Sequence, residues 1–134
     1  MPRLSVWFIR ASLVYLWIGF TWGALMLVNS ATEFYPPLWS LQPSHIEFLF
    51  LGWFLQLALG VAYWILPRYI RGEPRGKEPY GWVALILLNI GLVASAAGSL
   101  ASLVWVPLVG HLLEAAAAVL FAAFIWKRIK ATGM

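Results

Sequence analysis

The sequence predicts an all-α integral membrane protein, a four-helix bundle running up-down-up-down with both termini in the cytoplasm. Three observations carry this. Hydrophobic residues make up 63% of the 134-residue chain and charged residues 10%, against roughly 45–50% and 25% in soluble domains. A soluble globule of this size has too much surface to hide that much apolar material. Four stretches reach the roughly 20 apolar residues that cross a hydrocarbon core. All nine Lys and Arg then fall on one side of the four spans, which the positive-inside rule assigns to the cytoplasm.

The first span is expected over residues 7–28, with Arg10 snorkelling to the interface. Its apolar run exceeds a signal-peptide core and no small-residue cleavage site follows, so it reads as a retained span. A linker follows from Asn29 to Pro43, carrying Pro36, Pro37 and Pro43, with Tyr35 and Trp39 suited to an aromatic belt. The second span is expected over residues 44–66. The segment from Pro67 to Tyr80 is the only strongly charged one, and its Gly and Pro residues end the helix. The third and fourth spans, residues 81–104 and 107–126, are nearly continuous in hydropathy. They are divided at Trp105-Val106-Pro107, because a proline disfavours helix in the residue before it. The whole forms a single transmembrane domain, multi-pass in the cell's inner (plasma) membrane.

Composition also excludes chemistry. The chain has no Cys, so disulfides, thiol catalysis, iron–sulfur clusters and Cys-ligated zinc are out. It has no Gly-rich phosphate loop, no Ser/His/Asp set and no Asp. The formal charge of +4 and pI near 9.8 mark one membrane side and not a nucleic-acid partner.

The polar residues within the spans are His45, Glu47, Gln56, Asn89, His111 and Glu114, and each needs a reason in a bilayer. The two histidines lie at matched depth, roughly 3–6 Å below the outer starts of the second and fourth helices. At 100° per residue His45, Leu49, Gly52, Gln56, Gly60 and Tyr63 share one face, and His111, Ala115, Ala118 and Ala122 share another. Small residues under each histidine leave room for a flat, bulky group. They also suit close helix packing, as do Gly19-x-x-x-Gly23 and the Gly91, Ser95, Gly98, Ser102 face. Zinc or copper needs three or four ligands. His45, His111 and Glu114 supply three, whereas Glu47 points about 200° from His45. Haem iron needs two axial ligands. Asn89 and Gln56 are expected to donate hydrogen bonds between helices. The Gly faces exceed the needs of one bundle, so a complex or homo-oligomer is expected.

The second span reads His45-Ile46-Glu47-Phe48-Leu49-Phe50-Leu51-Gly52-Trp53, then Gly60-Val61-Ala62-Tyr63-Trp64-Ile65-Leu66-Pro67-Arg68. This resembles a helix of haem–copper oxidase subunit I, nearest the nitric oxide reductase large-subunit branch. Val109-Gly110-His111-Leu112 resembles the second histidine site of that family more loosely. The resemblance implies a b-type haem (haem b) with His45 and His111 as axial ligands, and the helical faces put Gly52, Gly60, Ala115 and Ala118 beside it. It implies a small electron-transfer cytochrome working with other membrane subunits of a respiratory complex. With two histidines, the chain alone cannot build that family's second metal centre, so no independent catalysis is expected. The external arginines that hold the family's haem propionates have no counterpart here. Two other readings stand beside it: a cofactor-free accessory or assembly subunit, and a small transporter or metal-handling protein using Glu47, Glu114 and the histidines.

Overall fold

A computed structural model describes residues 1–69 and 75–129. It has four helices long and apolar enough to cross a membrane, and no strand among the described residues. We number them α1 (Arg3–Thr32), α2 (Pro36–Ile65), α3 (Glu78–Leu100) and α4 (Trp105–Trp126). The shortest has 22 residues, about 33 Å at 1.5 Å per residue, against a hydrocarbon core of about 30 Å.

Each helix begins ahead of its expected span. Backbone hydrogen bonding continues where hydropathy fades, so α1 takes in Arg3 at one end and Asn29 to Thr32 at the other. Glu33 ends it in the left-handed conformation, φ 48°, its N–H donating to the Asn29 carbonyl. The buried Asn29 side chain accepts from the Tyr35 N–H at 2.8 Å, which folds the chain back at once.

The expected linker before the second span is therefore largely helical. Pro36 and Pro37 open a 3-10 turn, Pro36–Leu41, and Pro43 sits in the first turn of the helical segment Gln42–Glu47. Proline costs nothing at such positions, where its missing N–H would have no partner. Pro107 is likewise in the first turn of α4. The third helix ends at Leu100, four residues earlier than the sequence boundary, and Ser102 turns the chain at φ 56°.

The middle of α2, Phe48–Leu55, is wound as a π-helix. This widened winding is rare and tends to occur near functional positions. It begins directly after Glu47.

Close glycine contacts define the packing. A Cβ on Gly19 would meet Leu49 at 2.7 Å, on Gly52 the Tyr15 ring at 2.6 Å, and on Gly60 Phe8 at 2.7 Å. These contacts run α1 antiparallel to α2. Gly91 and Gly110 meet backbone to backbone, and Gly98 meets Val106 and Pro107, so α3 and α4 form a second antiparallel hairpin. The two hairpins join through Leu4, Phe8, Tyr63, Ala84, Leu85 and Phe121 at one end. Tyr15, Phe48, Leu88, Leu92, Ala96 and Ala117 continue the core. The glycine faces expected to serve oligomerisation are thus filled from within the chain. Asn89 donates to the Leu85 carbonyl of its own helix at 2.8 Å, not across helices. Gln56 is fully buried with neither amide atom partnered among the described residues.

Arg3, Arg68, Arg75, Lys77, Lys127 and Arg128 belong to the end of the bundle where α1 and α3 begin and α2 and α4 finish. Arg71 and Lys130 lie outside the described residues.

Candidate metal centre

His45 and Glu47 are two residues apart on a regular helical turn, and so face opposite ways. His45 turns to α1. Its Nδ1 lies 2.7 Å from the Gly19 carbonyl oxygen, and its ring fills the space a Cβ on Gly23 would need, at 2.7 Å. An Nδ1–H donating to that carbonyl fixes the tautomer and orients the ring.

Glu47 turns the other way, into the α3–α4 hairpin. Its Oε2 accepts a 2.7 Å hydrogen bond from Ser95 Oγ of α3. Its Oε1 lies 3.7 Å from His111 Nδ1 of α4. The same Nδ1 is 3.4 Å from Glu114 Oε2, three residues further along α4. One ligand atom from each of Glu47, His111 and Glu114 lies within 4.8 Å of the others. Glu114 is buried and Glu47 partly so, while the His111 side chain is 56% exposed. Glu47 Oε1 and Glu114 Oε1 are buried without any hydrogen-bond partner among the described residues.

The backbone explains why these groups can meet. Gly91 and Gly110 bring α3 and α4 into backbone contact beside the site: a Cβ on Gly91 would strike the Gly110 carbonyl at 2.7 Å and Glu114 Cγ at 2.8 Å. A Cβ on Gly110 would strike Ser95 N at 2.8 Å. Close approach of small residues lets Ser95 and Glu114 reach one point.

Chemically, this is one imidazole and two carboxylates. An unpartnered buried carboxylate oxygen costs about 1–3 kcal/mol, more when charged. Two facing each other compound that cost. A divalent cation would give both oxygens a partner and cancel two negative charges in a region of low dielectric. The spacing suits it. Ligand atoms held at about 2.0–2.2 Å from a tetrahedral ion lie roughly 3.3–3.6 Å apart; here His111 Nδ1 is 3.4 Å from Glu114 and 3.7 Å from Glu47, and the three ligand atoms lie within 4.8 Å of one another, so a small closure would seat the ion. The mixed N/O set without sulfur fits zinc or another divalent first-row ion. Three protein ligands leave one position open. A cleft of about 250 Å³ adjoins it, lined by Leu51, Leu55, Leu88, Ala115 and Ala118 beside His111 and Glu114.

The sequence reading placed Ala115 and Ala118 beside His111, and both line this cleft. It paired His111 with His45, which the bundle directs elsewhere. The slots under Gly52 and Gly60 hold Tyr15 and Phe8. The cleft is below the roughly 300–1,000 Å³ usual for organic ligands. The residues of one chain therefore do not fit a haem held between His45 and His111. Glu47, set aside in sequence because it faces away from His45, is the residue that completes the set. Ser95 was assigned only to packing, and its bond to Glu47 is not legible from spacing. We expect Ser95→Ala to weaken metal binding about 10- to 100-fold, as lost outer-shell hydrogen bonds do, and to lower the metal-free bundle's thermal midpoint, because Glu47 Oε2 loses its partner. Equal affinity in calorimetric titrations of the two proteins would remove Ser95 from the site.

No protein-family model, curated protein or solved structure matches this chain.

Proposed function

We propose that this chain is a small membrane metal-handling protein that binds one divalent first-row transition-metal ion at Glu47, His111 and Glu114. The observation that carries the reading is the convergence of three ligand atoms from two spans, two of them on carboxylates with a buried, orphaned oxygen. The half-exposed His111 gives the ion a way in, and the open coordination position lets it exchange or accept a further ligand. In this reading the basic end of the bundle faces the cytoplasm, because Lys and Arg are retained there. The metal centre then lies toward the external side of the plasma membrane.

The test is a titration of the detergent-purified, chelator-stripped protein with Zn²⁺, and with Co²⁺ as a coloured substitute. We expect one ion per chain, visible cobalt absorption from a low-symmetry site, and an affinity that falls as pH falls, because protons compete for the same lone pairs. His111→Ala should abolish the cobalt spectrum and His45→Ala should leave it. An absence of saturable binding, or binding lost only in His45→Ala, sinks the reading. Orientation is checked separately. A cytoplasm-active reporter fused after Met134 should be bright and a periplasm-active one silent, and the reverse result inverts the topology.

Electron transfer through a b-type haem within a respiratory complex is the second reading, favoured by the His45–Arg68 resemblance and by the Nδ1 contact of His45, which leaves its Nε2 as the ligand atom. It requires a ligand from a second copy or another subunit. Its signature is a Soret band, lost in His45→Ala, in protein purified with its native partners.

A further inference from the structure

Arg128 is the largest fully buried side chain among the described residues, although it follows the end of α4. Its Nε donates to the Pro67 carbonyl at 3.1 Å, and its Nη2 to the Tyr63 and Leu66 carbonyls at 3.0 and 2.8 Å. A cation on the last carbonyls of a helix satisfies groups that have no partner within the helix and complements its dipole. That explains two of the three guanidinium nitrogens. Nη1 is buried and has no partner among the described residues.

Two more orphans gather around the same ring. The Arg128 guanidinium carbon is 5.0 Å from the Tyr63 ring centroid, and that of Arg75 is 5.9 Å from it. Arg75 Nε and Tyr63 Oη are both buried without a partner among the described residues. Neither arginine forms an ion pair with an acid among the described residues. Burial pushes the Arg128 guanidinium below its ordinary pKa, and the positive charges of Arg75 and Arg68 press the same way. Glu78 is the acid whose charge reaches Tyr63. Cation–π contact and helix capping leave three buried donors without a partner among the described residues, on two guanidinium groups and the tyrosine they flank. Guanidinium donors match phosphate oxygens in geometry and charge, and their bonds to anions are about twice as strong as neutral ones.

We propose that Tyr63, Arg75 and Arg128 bind a phosphate group at the basic end of the bundle, either the headgroup phosphate of an anionic lipid or a soluble phosphate. The location suits a lipid, because anionic headgroups concentrate on the side where basic residues lie. The site is independent of the metal centre, which occupies the opposite half of α2 and α4.

The test uses the full chain in nanodiscs of phosphatidylcholine alone and with phosphatidylglycerol, and in detergent with and without inorganic phosphate. We expect phosphatidylglycerol to be retained in native mass spectra of the wild type and to raise its thermal midpoint. Arg75→Gln and Tyr63→Phe should each weaken that retention at least about tenfold, the loss expected for one hydrogen bond to a charged group. Both leave Arg128 on its carbonyls, so folding in phosphatidylcholine should be unchanged. Arg128→Lys should bind less and also unfold earlier, through loss of the cap. If inorganic phosphate alone raises the midpoint in detergent, and Arg75→Gln removes that rise, the ligand is a soluble phosphate. If neither phosphate source is retained by the wild type, or if both variants retain it as the wild type does, the proposal is overturned.

Discussion

Glu114→Gln should weaken divalent-metal binding by at least about 100-fold, the upper end of what even outer-shell losses cost, without destabilising the metal-free protein. The amide keeps the size of the side chain and one acceptor oxygen, so packing against Gly91 is preserved. What disappears is one of two negative charges. With the ion bound, Glu47 alone leaves a net positive charge in a buried site, and the binding energy falls steeply. Without the ion, the wild type holds two carboxylates with orphaned oxygens side by side, and removing one relieves that conflict. The metal-free variant should unfold at the same temperature as the wild type or above it. A carboxylate that served only the structure would behave the other way, with stability lost and metal affinity unmoved. Calorimetric titration and thermal unfolding of one preparation separate these outcomes, and the second pattern rules out Glu114 as a ligand.

The four spans were legible because hydropathy over 20 residues is a sum of many consistent signals, and no single residue decides it. The span ends were less so. Prolines 36, 37 and 43 were read as linker, yet all three stand in first turns, as does Pro107, where the fourth span was expected to begin. A hydropathy window does not register that a helix start has no use for those N–H groups. The opposing faces of His45 and Glu47 follow from the helical period alone, and the structure keeps them.

What the period does not give is which neighbour each face meets. Two histidines at equal depth suggested one shared ligand. The close packing of α1 on α2 through Gly19, Gly23, Gly52 and Gly60 takes His45 out of the interior between α2 and α4. Gly52 and Gly60 were read as room for a cofactor and Gly19 and Gly23 as packing, and each is the socket of an α1 or α2 side chain. Glycine in a membrane helix marks close approach, and only the partner's identity tells whether it is a ring, a backbone or a ligand. The π-wound turn after Glu47 has no sequence signature at all in this chain. The buried arginine at the basic end was counted as one of nine charges setting orientation, and nothing in the sequence distinguishes it from the exposed Lys127 beside it.

Gly110→Leu should destabilise the bundle by more than about 3 kcal/mol, above the 1–3 kcal/mol typical of an overfilled core, and should abolish metal binding with it. The added Cβ alone would lie 2.7 Å from the Gly91 carbonyl oxygen and 2.8 Å from the Ser95 nitrogen. These are backbone atoms of α3, so no rotamer change relieves the clash, and the hairpin must open. Ser95, which holds Glu47, and Glu114, one turn from Gly110, are then carried apart. Ala116→Leu is the control. It adds nearly as much bulk to the same helix on an exposed position, where substitutions stay within about 0.5 kcal/mol. Chemical unfolding in mixed detergents, followed by tryptophan fluorescence, measures both. If Gly110→Leu unfolds with the wild-type midpoint, α3 and α4 do not meet at Gly91 and Gly110, and the convergence of Ser95, Glu114 and Glu47 loses its structural basis.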